Sequence, residues 1–201
     1  MKKIYHKKIN STTNISVWKV NWGLEKLRNI YSLEEKKKLK LFTFKSQKRE
    51  IEVLAEHFIL QQLFKKKVRL QHLPSGKPFI KNASHLSISH SHGYIAMALG
   101  EINLGIDIEK PTEKIVKLSE RFLSKKEKKA FDLNPSKEFA CKLWSAKESI
   151  LKSEGNKKIN FSKDIEIDCS HLTKGYTLQG TYFIRYQTIE CMILTSVIKK
   201  D

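Results

Sequence analysis

Residues 102–109 constrain the fold more than any other stretch of the chain. Ile102, Leu104, Ile106 and Ile108 alternate strictly with Asn103, Gly105, Asp107 and Glu109. Successive side chains of a strand point to opposite faces. The segment is therefore predicted as a strand with one aliphatic face and one face carrying two neighbouring acids. Carboxylates two residues apart repel each other unless something positive stands between them. Water and a stray lysine would serve on a solvated edge; a metal ion would serve in a site. These eight residues leave both readings open.

The surroundings supply strands and helices in both halves. Residues 14–20, 85–89 and 94–100 read as strands, the last two joined by His90-Ser91-His92-Gly93 as a hairpin. Ser32 and Glu35 form a capping-box pattern before a short basic helix. Ile51, Leu54, Ala55, Phe58 and Ile59 recur at helical spacing, predicting a second helix from Ser46 to Phe64. Pro74, Gly76 and Pro78 mark a turn that carries Lys77. A lysine-rich helix is expected over 116–131. Another is expected to follow Asn134 as N-cap, with Pro135 in its first turn, and to end near Gly155. The last third reads as an antiparallel meander. The fold class is α+β, with a division near residue 100 into an N-terminal unit of 1–100 and a C-terminal unit of 101–201.

Composition narrows the function classes. There are 39 Lys+Arg against 21 Asp+Glu, a net charge of +18. Such a field favours polyanionic partners without choosing among them. Cys141, Cys169 and Cys191 are far apart and form no CxxC pair, so neither a disulfide framework nor a cysteine zinc site is suggested. No apolar run spans a bilayer and no apolar segment follows the basic N-terminus, so a cytoplasmic protein without membrane contact is expected.

Against this basic background, acids that cluster are informative. Trp144, Glu148 and Lys152 are spaced by four and share a helix face. An ordinary Glu–Lys surface pair explains Glu148 and Lys152 as well as a site does. Glu148 together with Asp107 and Glu109 would suit Mg²⁺, a hard cation that takes carboxylates and substrate phosphates. His85, His90 and His92 tempt a zinc reading, but His90-x-His92 on a turn lacks further ligands nearby. A histidine at a strand end could instead donate to a phosphate or simply lie exposed on the turn, and Lys77 on its proline-fixed turn fits a bare surface turn or an anion equally well.

Four segments occur in one order: Gly76-Lys77-Pro78, Ser87-Ile88-Ser89-His90-Ser91, Gly105-Ile106-Asp107-Ile108-Glu109, and Trp144-Ser-Ala-Lys-Glu-Ser-Ile-Leu-Lys152 leading to Glu154-Gly155. With Arg121–Glu127 between the last two, this order resembles the 4′-phosphopantetheinyl transferases of the surfactin-synthetase-activating (Sfp) type, from about Ser32 through Gly155. The resemblance implies two similar α+β subdomains in pseudo-twofold relation, with the active site in the cleft between them. It implies a Mg²⁺-dependent transfer of the phosphopantetheine arm of coenzyme A to a serine of an acidic apo acyl- or peptidyl-carrier protein, of fatty-acid, polyketide or nonribosomal peptide synthesis. By the same resemblance Asp107, Glu109 and Glu148 are the metal-binding acids. Glu148 is either a metal ligand alone or also the group that takes the serine proton, directly or through water, and Lys152 holds the diphosphate. Lys147 touches phosphate. Lys77, Ser89 and His90 bind the nucleotide end, and Lys38 and Arg49 contact its 3′-phosphate. The basic segment 121–129 reads equally as a docking face for the carrier and as a solvated lysine-rich helix. The chain departs from the family at Leu86-Ser87-Ile88, where an Asn or Asp is common, and after Gly155, where it is more basic. Both walls of such a cleft lie in one chain, so a monomer is expected.

The competing reading is a basic nucleic-acid-binding protein, supported by the charge and by the lysine runs at 36–40, 65–67 and 125–129. No RNP motif, KH loop or zinc knuckle accompanies them. Nucleic acid is therefore not expected as a partner. A Mg²⁺-dependent nuclease would use the same acids without coenzyme A.

Overall fold

The computed structural model describes residues 1–39, 44, 46–66, 68–81, 85–155 and 158–200, without the side chains of Lys38 and Leu39. Two antiparallel sheets lie between two helical layers. The first sheet has the order β1-β2-β6-β5, built from β1 (Lys2–Lys8), β2 (Asn14–Lys19), β5 (His85–Ser91) and β6 (Tyr94–Gly100). The second has the order β7-β11-β10-β9-β8, built from β7 (Leu104–Glu109), β8 (Glu166–Ile167), β9 (Lys174–Thr177), β10 (Gly180–Ile189) and β11 (Met192–Lys199). A small hairpin of β3 (Leu70–His72) and β4 (Pro78–Ile80) carries the turn that holds Lys77.

Three apolar clusters follow from alternation along the strands. Ile95 and Met97 of β6 face α1 (Leu24–Asn29) and α3 (Gln47–Phe64), where Leu27, Leu54 and Ile59 are buried. Tyr94, Ala96 and Ala98 face the other way. They meet Leu104, Ile106 and Ile108 of β7, so the aliphatic face expected of that strand is buried between the two sheets. The far side of the second sheet packs against α4 (Glu113–Phe122), α6 (Lys137–Glu154) and α7 (Phe161–Asp164). Among the described residues, no helix is long and apolar enough to cross a membrane.

The capping box opens α2 (Leu33–Leu39) as expected: the Glu35 amide donates to Ser32 Oγ at 3.2 Å and the Ser32 amide to Glu35 at 2.8 Å. The hairpin at 85–100 also forms, with His92 and Gly93 both at positive φ in its two-residue turn. Two expectations need correction, and one element was not anticipated. The stretch 116–131 is not one helix but α4 and α5 (Lys125–Leu133). The chain turns extended at Leu123, and Ser124 with Glu127 closes a second capping box. Asn134 ends α5 rather than starting α6; Ser136 is the N-cap, accepting from the Phe139 amide. The N-terminal segment forms β1, an edge strand whose lysines masked its period; lysines also blunt an open edge.

Helix α6 lies unusually close to β7. A Cβ added at Gly105 would stand 1.9 Å from the Ser149 carbonyl oxygen and 2.9 Å from the Ser153 nitrogen, so only glycine admits the helix here. Asn103 reinforces the contact by donating to the Ser153 carbonyl at 3.1 Å. The polar face of β7 is thereby turned toward α6.

Candidate active site

The site forms where β5 meets the free edge of β7. The edge amides of Ile106 and Ile108 have no strand to pair with. Ser87 Oγ accepts from the Ile106 amide at 3.1 Å, and Ser89 Oγ from the Ile108 amide at 3.3 Å. The Ser89 hydroxyl donates to Asp107 Oδ1 and the Ser91 hydroxyl to Glu109, at 2.7 and 2.8 Å. Three serines at period two thus replace a missing strand and aim both acids.

Helix α6 supplies the opposing groups. Lys152 donates to Asp107 Oδ1 at 2.7 Å. Glu148, one turn earlier, has its carboxyl pushed up to about 7, first by burial and then by the charges of Asp107 and Glu109, with Lys152 opposing. Burial and Asp107 also raise Glu109. Glu148 thus feels the charges of both strand acids. Below about 4.5 the Glu148 carboxyl is protonated in folded and unfolded chains alike. Between about 4.5 and about 7 the folded state keeps a proton that the unfolded chain has lost, so stability falls as pH rises through this window. Glu148→Gln is expected to reduce that fall. Thermal unfolding midpoints in metal-free buffer from pH 4.5 to 8 would check it, and an unaltered slope would refute it.

Asp107 is 3% exposed, and its Oδ2 is buried with no hydrogen-bond partner. A buried carboxylate oxygen without a donor is costly. A divalent cation would satisfy it and relieve the repulsion that raises Glu109 and Glu148. Among the described residues no group of three or more His, Cys, Asp or Glu is arranged to hold a metal ion unaided. The donor set still suits Mg²⁺, which takes one or two carboxylates and completes its shell with water and phosphate.

The other residues singled out from sequence fall into three groups. Lys77 sits at the site's edge, donating to Asn103 at 3.1 Å and to the Ser153 carbonyl at 3.0 Å, its ammonium pKa lowered by burial. With Glu148, Lys152 and Gly155 it lines a cavity of about 200 Å³. His90 and Arg49 lie together: an Arg49 guanidinium nitrogen is 3.1 Å from His90 Nε2, and His90 Nδ1 is 3.3 Å from Glu52. His90 also borders a cavity of about 380 Å³ with Glu109 and Trp144, whose ring packs edge-on against Phe122. Lys38 lies in α2, and its side chain falls outside the described residues.

Two assignments change. Ser89 is 5% exposed and its hydroxyl is engaged with Asp107 and the Ile108 amide, so it orients the acid rather than presenting itself to a ligand. Lys147 points away from the site. It is fully buried, paired with Glu127 at 2.7 Å and donating to the Phe161 and Ile165 carbonyls, also at 2.7 Å. Residues 147 and 148 are about 100° apart around a helix, so one faces the core when the other faces the site. Sequence reasoning missed Ser91 and Glu56, the latter buried under Arg49. The serine alternation in 87–91 was the available signal for the first; helical spacing from Arg49 was the signal for the second.

Residues 103–190 match the model of the 4′-phosphopantetheinyl transferase superfamily, a span that holds Asp107, Glu109, Glu148 and Lys152. The chain is 32% identical over 141 residues to the 4′-phosphopantetheinyl transferase Sfp of Bacillus subtilis (strain 168), covering 65% of this chain and 63% of that protein. It is 32% identical over 143 residues to the transferase ffp of Bacillus subtilis, and 36% identical over 85 residues to the transferase gsp of Aneurinibacillus migulanus. The matches therefore span less than two thirds of these relatives' lengths.

Proposed function

We propose that this chain transfers the 4′-phosphopantetheine arm of coenzyme A to a serine of an apo acyl- or peptidyl-carrier protein; the match of residues 103–190 to the superfamily model supports the reading. The observation that carries the reading is the meeting of Asp107, Glu148 and Lys152 between β7 and α6. The carrier serine oxygen attacks the phosphorus nearest the pantetheine. The bond from that phosphorus to the bridging oxygen breaks, and adenosine 3′,5′-bisphosphate leaves. Glu148 stands on α6 close to Asp107 and Lys152, where its carboxylate would accept the serine proton. Lys152 places its ammonium beside the acids, where it would neutralise charge gathering on the leaving phosphate. Asp107, with Glu109 or Glu148 as a second carboxylate, would hold Mg²⁺, which when bound would supply charge neutralisation across the diphosphate. Lys77 would take the nucleotide end, and Arg49 and His90 its 3′-phosphate.

We propose further that residues 1–100 and 101–201 are two similar units with the site between them. In support, α3 and α6 are each 18 residues long, N-capped by a serine and ended by a left-handed residue, and each packs on one sheet. The basic charge suits an acidic carrier, and the α4–α5 segment, with Lys125, Lys126 and Lys129, is the proposed docking face. The test is incubation with Mg²⁺, coenzyme A and a panel of apo carriers of fatty-acid, polyketide and nonribosomal peptide type. At least one carrier should gain the mass of phosphopantetheine, and chelation of Mg²⁺ should abolish the gain. Salt-sensitive RNA binding with no gain on any carrier would overturn the reading.

A further inference from the structure

We propose that Glu56 is a positioning residue that fixes the Arg49 guanidinium so that its outer edge receives a phosphomonoester; this rests on the transferase reading. Among the described residues, the hydrogen bonds of the Arg49 side chain all pass through one nitrogen. Nη1 lies 3.2 Å from Glu56, 3.3 Å from Glu52 and 3.1 Å from His90 Nε2. Among the described residues neither Nε nor Nη2 meets a protein acceptor through its side chain. Those two nitrogens form the planar edge that grips a phosphate or carboxylate in two parallel bonds. The arginine is thus tied down at one corner and open along the edge that recognises anions.

Of the partners of Nη1, Glu56 is the fixed one. It is 3% exposed, deep in α3, where a ligand cannot reach or displace it. Glu52 is less buried and shares its carboxylate among Arg49, His90 and Lys48. His90 accepts from Arg49 through Nε2 and faces Glu52 through Nδ1, so the imidazole leans on the same anchored guanidinium. Lys48 and Lys152 are the remaining cations that His90 feels, and neither touches Glu56. Glu56 lies two helical turns from Arg49 along the same helix, which lets the carboxylate reach back from beneath. In coenzyme A the phosphomonoester that matches this edge is the 3′-phosphate.

The experiment compares coenzyme A with 3′-dephospho-coenzyme A as donors, using the wild type, Glu56→Ala, Glu56→Asp and Glu56→Gln. Glu56→Ala is expected to raise the KM for coenzyme A about tenfold, with kcat and the KM for the dephospho donor within about twofold. Glu56→Asp keeps the charge but is too short to reach Nη1, so it should show the same selective loss even if the alanine variant folds poorly. Glu56→Gln keeps an acceptor oxygen and should restore most of the coenzyme A preference. Equal changes for both donors, or a glutamine variant as impaired as alanine, would overturn the positioning role. Wild-type transfer with unchanged variants overturns this inference alone. A wild type that transfers nothing from either donor overturns the functional reading and the inference with it.

Discussion

Asp107→Ala and Asp107→Asn should each lower phosphopantetheine transfer by about 10³-fold or more while leaving the fold intact. The argument is local. Asp107 is the point where the two sheets and α6 converge, taking Ser89 from β5 and Lys152 from α6 on one oxygen. Its second oxygen is buried and unpartnered. Asparagine would keep the shape and the Ser89 contact but lose the charge that holds Lys152 and any divalent cation. Alanine would remove both. Neither change touches the aliphatic face of β7, where Ile106 and Ile108 are fully buried, so far-ultraviolet circular dichroism should be unchanged. Transfer within tenfold of wild type in the asparagine variant would show that the charge at 107 is not needed. The site would then have to be rebuilt around Glu109 and Glu148.

Lys147→Ala should act in the opposite way, lowering stability by about 3–5 kcal/mol with little effect on the KM for coenzyme A. Lys147 and Glu127 are both fully buried. Burial pushes the Glu127 carboxyl up and the Lys147 ammonium down, and each is partly held in its charged form by the other. Removing the lysine leaves Glu127 with only the Ser124 and Ile167 amides, and leaves the Phe161 and Ile165 carbonyls without their donor. Thermal unfolding would show a midpoint depressed by about 6–20 °C. The paired replacement Lys147→Met with Glu127→Leu should recover much of the loss, because a buried ion pair can be exchanged for apolar groups of similar volume. An unshifted midpoint together with a raised KM would return Lys147 to the phosphate site.

These two residues also show what could and could not be read beforehand. Period two in 102–109 and a spacing of four between Glu148 and Lys152 are local geometry, so the acids and the lysine could be placed from spacing. The direction of Lys147 depends on Glu127, which comes from another helix and reaches it only through the fold. The Ser124–Glu127 capping pattern was visible, but nothing local says that a capping carboxylate will also bury a lysine twenty residues on. The alternation of Ser87, Ser89 and Ser91 is present in the sequence, but Ser91 reads there as part of the turn. That they would stand in for a strand against β7 follows from the packing of two sheets, which no window of sequence contains. β1 escaped because its lysines suppress the apolar half of the alternation. The helix boundaries at 123–136 escaped because Ser124, Asn134 and Ser136 are all competent caps, and tertiary contacts choose among them.

The bare α-carbon at position 105 sets a mechanical gauge. Where the carbonyl of Ser149 rests against it, helix and strand touch backbone to backbone. The reach from the helix to the acids of the strand is then measured from main chain, not from the filling of a core. Turnover of side chains behind the helix can proceed without detuning the alignment of the reacting groups, whereas one methyl group at 105 would lengthen every span across the site at once.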